Sequence, residues 1–142
     1  MLTMKKIILT FAAAILTGTC FGYSYQIDDA ESQCIIKNFD NEGEMVKCVQ
    51  AAQGGWQKEI DNNLENLKNL VNKSGYKNLQ KSQKEWEKFK KAEFNTAKNI
   101  AESRDDTCFT DRVYEDYKKE LLKQRAMTLD NYIQSILDSR DL

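Results

Sequence analysis

The chain offers four cysteines, twenty-two carboxylates and no histidine as its chemically versatile side chains. Without histidine, a hydroxyl or thiol nucleophile has no imidazole base to activate it, and zinc loses its usual nitrogen ligand. Carboxylates can act as paired acid and base in a hydrolase, provided that one is held protonated and both face the same bond. Nothing in the order of the acids here selects such a pair. Asp28-Asp29 and Asp105-Asp106 lack the spaced oxygen series of a calcium loop. Gly54-Gly55 lies inside a helical pattern with no strand before it, unlike a phosphate-binding loop. Glu93 is a single acid on an apolar stripe and reads as a buried, hydrogen-bonded structural residue. The expectation is a non-enzymatic protein with no cofactor and no metal.

The cysteines point to the compartment. Lys5 and Lys6 form a short positive segment, and Ile7 to Leu16 follow without a charge. That apolar run has the length of a signal-peptide core and is too short to span a bilayer as a mature helix. Small residues succeed it, and cleavage after Gly22 or Ser24 fits, so residues 1–22 are expected to be removed from a single domain covering 23–142. Cys20 lacks the residues of a lipidation motif: Thr19 and Thr17 occupy the key positions, with Leu16 one place too early. It is expected to leave with the signal. Export to the periplasm or beyond permits a disulfide among Cys34, Cys48 and Cys108. Three cysteines allow three single pairings, and the nearest pair, Cys34 with Cys48, is the expected one. Such a loop stabilises a fold by about 3 kcal/mol in the chain-entropy model. Cys108 is then left buried, reactive, or bonded to a second copy.

Loss of residues 1–22 removes two lysines and no acid, leaving 19 bases against 22 acids. A net charge of −3 argues against a nucleic-acid partner, which requires a basic face. Residues 23–44 concentrate the acidity, with Asp28, Asp29, Glu31, Asp40, Glu42 and Glu44 against Lys37 alone. Cys34-Ile35-Ile36 and Phe39 interrupt that polar segment, so it is expected to pack in part.

The elements that must position these side chains are helices. There is no proline in the chain, and helix-forming residues dominate it. A first helix is expected over 44–73, with Met45, Cys48, Ala52, Trp56, Ile60, Leu64, Leu67 and Val71 in one stripe. Gly54-Gly55 marks a bend or a close neighbour within it, and Gly75 its C-cap. A second helix over 77–103 carries Leu79, Gln83, Trp86, Phe89, Glu93, Ala97 and Ile100, with lysines 77, 81, 84, 88 and 91 on its outer face. A third over 111–138 carries Val113, Tyr117, Leu121, Arg125, Leu129, Tyr132 and Ile136. Both tryptophans lie on apolar stripes and read as core. Short connections predict an all-α, elongated, antiparallel three-helix bundle with an N-terminal segment tied on by a disulfide.

Gln83-Lys84-Glu85-Trp86-Glu87-Lys88-Phe89-Lys90-Lys91-Ala92-Glu93 resembles the signature of the lysozyme inhibitor LprI-like family of exported bacterial proteins. That signature is Gln-x-x-Trp, then an aromatic, a basic residue and Glu-Cys. Gln83, Trp86, Phe89, Lys90 and Glu93 fall on these positions, with Lys90 in place of the family's arginine. Cys34 and Cys48, with Glu44 and Met45 between them, resemble the family's two early cysteines. Asp61-x-x-Leu64 and Arg125-x-x-x-Leu129 match further segments, so the likeness covers about 34–130. Phe94 replaces the family's cysteine after Glu93, and Tyr117 stands where its partner is expected. The resemblance thus implies a second disulfide exchanged for an aromatic pair.

The resemblance also implies a protein partner, a lysozyme-type muramidase inhibited by binding. Animal-type lysozymes are basic and this chain is acidic. The alternative is an envelope or secreted structural protein with a different partner, in which Cys108 joins two copies.

Overall fold

A computed structural model describes residues 21–104 and 110–140, with side chains from Gln26 onward and without that of Thr110. Cys20, Cys108 and residues 1–20 of the expected signal peptide 1–22 lie outside the described residues, while Phe21 and Gly22 begin α1. Four helices follow in order: α1, Phe21–Lys37; α2, Glu42–Leu70; α3, Lys73–Glu102; and α4, Thr110–Asp138. All regular secondary structure among the described residues is helical.

The start of α2 is set by Asn41, whose side chain accepts from the Glu44 N–H at 3.2 Å, with Glu42 and Glu44 in the first turn where the helix dipole favours anions. α2 ends at Leu70 with Val71 as its cap, and the very next residue, Asn72, caps α3 by accepting from the Gly75 N–H at 2.9 Å. Gly75 therefore belongs to the first turn of α3 and is not the C-cap of α2. The capping amide of Asn72 decides this boundary, because it satisfies an N–H that would otherwise be orphaned. With so short a connection, α2 and α3 run antiparallel.

The closest packing is between α2 and α4, and these two run parallel. Gln53 meets Glu115, Asn63 meets Ala126, and Leu70 meets Arg140, each pair advancing along both helices together. Between them lies the core: Trp56, Ile60 and Leu67 from α2 with Leu122, Ala126, Leu129 and Ile133 from α4. Full burial of each large apolar side chain in this seam stabilises by about 1.5–3 kcal/mol. α1 covers α2 on one side, with Ile27 lying 3.3 Å from where a Cβ on Gly55 would be. That close side chain explains Gly55, and the helix runs on unbroken through both glycines.

The expected three-helix bundle is thus a four-helix arrangement. The N-terminal segment is expected to pack in part, but its run of acids gives no helical stripe to mark it as a further helix. In the fold, Glu31 and Asp28 bond Lys119 and Lys123 of α4 at 2.8 and 2.6 Å, so the acids hold α1 in place as a helix. The disulfide is the expected one: Cys34 at the end of α1 is bonded to Cys48 of α2, with their Cα atoms 5.7 Å apart.

Two stripes are rotated from their expected positions. On α4 the buried face holds Glu115, Leu122, Arg125, Ala126, Leu129 and Ile133, whereas Tyr117 and Tyr132 are exposed. On α3 only Ala97 and Ala101 are fully buried, Phe94 packs inward, and Phe89 and Ile100 face water. Both helices carry apolar residues on two sides, and packing of α4 on α2 chose the side of aliphatic and small residues.

Candidate functional site

α3 buries so little apolar surface that polar and aromatic contacts must hold it. Arg125 is buried at 9 % exposure, and it donates from Nε and Nη2 to Gln83 Oε1 at 3.1 and 2.8 Å. Its guanidinium carbon also lies 5.5 Å from the centroid of the Trp86 ring. Burial pushes the Arg125 pKa below its ordinary value, with Tyr132 and Glu87 opposing, yet a guanidinium keeps its charge in proteins. Lys90 stands over the same indole at 4.9 Å, pairs with Glu87 at 2.6 Å, and donates to Gln57 of α2 at 3.5 Å. Gln83, Trp86, Lys90 and Arg125 therefore form one clasp that fastens α3 to α2 and α4.

Phe89 and Glu93 do not join the clasp. They lie on the edge of α3 that faces a groove of about 580 Å³ against α4, opposite Val113, Tyr117 and Leu121. Phe89 is 50 % exposed and Tyr117 55 % exposed, so two aromatics face solvent in one concavity. The groove's charged residues are Glu93, Asp116 and Glu120, with no base among its lining. The sequence pattern put Phe89 and Tyr117 on core stripes and so hid this platform. The i, i+4 spacing of Phe89 and Glu93 was its only available sign. Phe94, one residue beyond Glu93, packs against the core with Lys118 5.5 Å over its ring, while Tyr117 lines the groove.

The carboxylates are dispersed. Glu59 lines a second groove of about 400 Å³ between α1 and α2, floored by Ala30, Ala52 and Gly55. Burial raises its pKa, against an opposing hydrogen bond from Asn62 and the charge of Lys58. Glu115 belongs to a third groove, where burial alone would raise its pKa. Hydrogen bonds from Gln53 at 2.6 Å and Lys118 at 2.9 Å outweigh that effect and hold it below the usual carboxylate value. Among the described residues, the two carboxyls whose ionisation the fold shifts thus line different grooves and do not make an acid–base pair. Among the described residues, no cluster of three cysteine or acidic side chains has the geometry to hold a metal, and no helix is long and apolar enough to cross a membrane.

Neither the curated proteins nor the solved structures include a match to this chain. The family of lysozyme inhibitors described as LprI does match, over residues 34–129, a span that runs from the disulfide cysteine of α1 to the core leucine of α4. That span is more than half of the sequence and contains both the clasp and the groove, and the chain belongs to the LprI lysozyme inhibitor family.

Proposed function

We propose that this protein is exported, sheds residues 1–22 as a signal peptide, and works in the periplasm or outside the cell as a 23–142 domain that binds and inhibits a lysozyme-type muramidase. The family match over residues 34–129 carries the reading, since the inhibitor family's model runs from the last turn of α1 through α2 and α3 and into α4. The placement of the charged groups supports a binding role. Three buried charged residues, Glu31, Glu115 and Arg125, are engaged within the fold by Lys119, by Gln53 and Lys118, and by Gln83. What remains for a partner is surface. Inhibition by binding needs only that the domain cover the cleft in which a muramidase's two carboxylates hydrolyse the glycosidic bond.

The test is lysis of a bacterial suspension by an animal-type lysozyme, followed by turbidity, with the purified 23–142 domain in micromolar excess. The expected result is slowed clearing that scales with the amount added. Clearing at an unchanged rate across that range overturns the reading.

A further inference from the structure

We infer that the groove between α3 and α4 is the docking surface for the partner and that it receives a lysine or arginine side chain projecting from a basic protein. This rests on the proposed reading of the chain as a binding protein for lysozyme.

The first reason is what the groove leaves uncovered. Phe89 and Tyr117 are each about half exposed and lie in the same concavity above Leu121. An aromatic side chain buries on the order of 150–250 Å² when covered, so seating a partner here removes substantial apolar surface from water. The other large exposed apolar side chains, Ile36 and Phe39 at the α1–α2 turn and Ile100, Met127, Tyr132 and Leu137 on α3 and α4, line none of the described grooves.

The second reason is charge. All three charged residues of the groove are acids. Asp116 and Glu120 already share Lys119, at 3.2 and 3.5 Å, and Arg112 lies 3.7 Å from Asp116. Lys119 also bonds Glu31, at 2.8 Å, so its single charge is divided among three acids. Glu93 differs from these two acids in having no hydrogen bond or ion pair among the described residues, so its carboxylate is free to take a cation. A carboxylate beside an aromatic ring is the pairing that suits a guanidinium or ammonium group, through a charge-assisted hydrogen bond and the ring's negative face together.

The third reason is the distribution of charge over α3. Lysines 77, 81, 84, 88 and 91 are all exposed, and none lines the groove. A basic partner is repelled from that lysine face and steered toward the acidic edge of the same helix.

The experiment measures binding of the 23–142 domain to an animal-type lysozyme by calorimetry, comparing wild type with Phe89→Ala, Glu93→Lys and Phe39→Ala. Both altered groove residues are solvent-accessible, and unchanged helical circular dichroism verifies that the variants fold. Phe89→Ala and Glu93→Lys are each expected to weaken binding about tenfold or more, as truncation of an interface anchor does, with Phe39→Ala within about twofold of wild type. Wild-type affinity in both groove variants overturns the docking site while leaving lysozyme as the partner. If wild type does not bind lysozyme, isotope-labelled domain is titrated with a short arginine peptide and followed by NMR. Shifts that concentrate at Phe89, Glu93 and Tyr117 and vanish in Glu93→Lys keep the groove and dismiss lysozyme. Shifts elsewhere, or none, overturn the groove as well.

Discussion

Arg125 of α4 gives both of its hydrogen bonds, 2.8 and 3.1 Å long, to one amide oxygen, Oε1 of Gln83 on α3. A buried cation is thereby held by a neutral acceptor and by the face of Trp86, with no carboxylate within ion-pairing distance among the described residues. The arrangement makes Gln83 the one residue that satisfies the guanidinium's polar demand from across the helix interface.

Replacing Gln83 with leucine should therefore lower stability by about 2–3 kcal/mol, the cost of leaving a buried charged donor unmet. Arg125→Lys should also destabilise, because an ammonium cannot present the same fork or lie flat on an indole. Urea unfolding of the two variants beside wild type measures both effects. A midpoint unmoved in Gln83→Leu would show that the clasp contributes nothing.

Lys119 links α1 to α4 across 88 residues of sequence, and Glu31 beneath it is only 8 % exposed. Lys119→Met should cost about 3 kcal/mol by leaving the Glu31 charge buried without its partner, and adding Glu31→Leu should recover most of the loss. Burial alone would lower the Lys119 pKa, but Glu31 and Asp116 overcome this and raise it. Its stabilising contribution is complete below the unfolded value of about 10.4 and disappears as pH rises through the higher folded value. The alkaline fall in unfolding midpoint should accordingly be shallower in Lys119→Met.

The acid limb should respond to Glu115. Its folded pKa is depressed, since the bonds from Gln53 and Lys118 outweigh the opposing effect of burial. The contribution is present above the unfolded value of about 4.3 and is lost as pH falls through the folded one. Gln53→Leu removes the shorter of those bonds, so it should reduce stability at neutral pH and flatten the loss between neutral and acid conditions. Thermal melts across that range decide the matter, and parallel curves for variant and wild type would count against it.

Breaking the Cys34–Cys48 bond by substituting serine at both positions should lower stability by about 3 kcal/mol in the chain-entropy model. Because Asp28 and Glu31 still reach Lys123 and Lys119, α1 should remain helical and docked. Limited proteolysis reads this out, and rapid cleavage within 26–37 would show that the disulfide alone holds α1.

The adjacent glycines should behave differently. A Cβ on Gly54 meets nothing within 4 Å, so Gly54→Ala should stabilise α2 by about 1 kcal/mol through helix propensity. A Cβ on Gly55 comes within 3.3 Å of Ile27, and Gly55→Ala should gain less because that side chain has to yield. Equal shifts in melting temperature for the two variants would contradict this account of Gly55.

The sequence by itself determined the helical class, the extent of three helices to within a few residues, the α2 stripe from Met45 to Leu67, and the cysteine pair. These are local properties: a 3.6-residue period, the absence of proline and a short loop between cysteines are all read along one segment. Tertiary structure alone decided that residues 21–37 form a fourth helix, because the acids of that polar segment are matched by lysines nearly a hundred residues away. It alone decided that α2 and α4 run parallel, and which of two apolar sides α3 and α4 would bury. Periodicity places residues on a face but cannot say which face meets a neighbour. Phe89 and Tyr117 look like core in the pattern for this reason, and only the packing of α4 against α2 turns them outward into a groove.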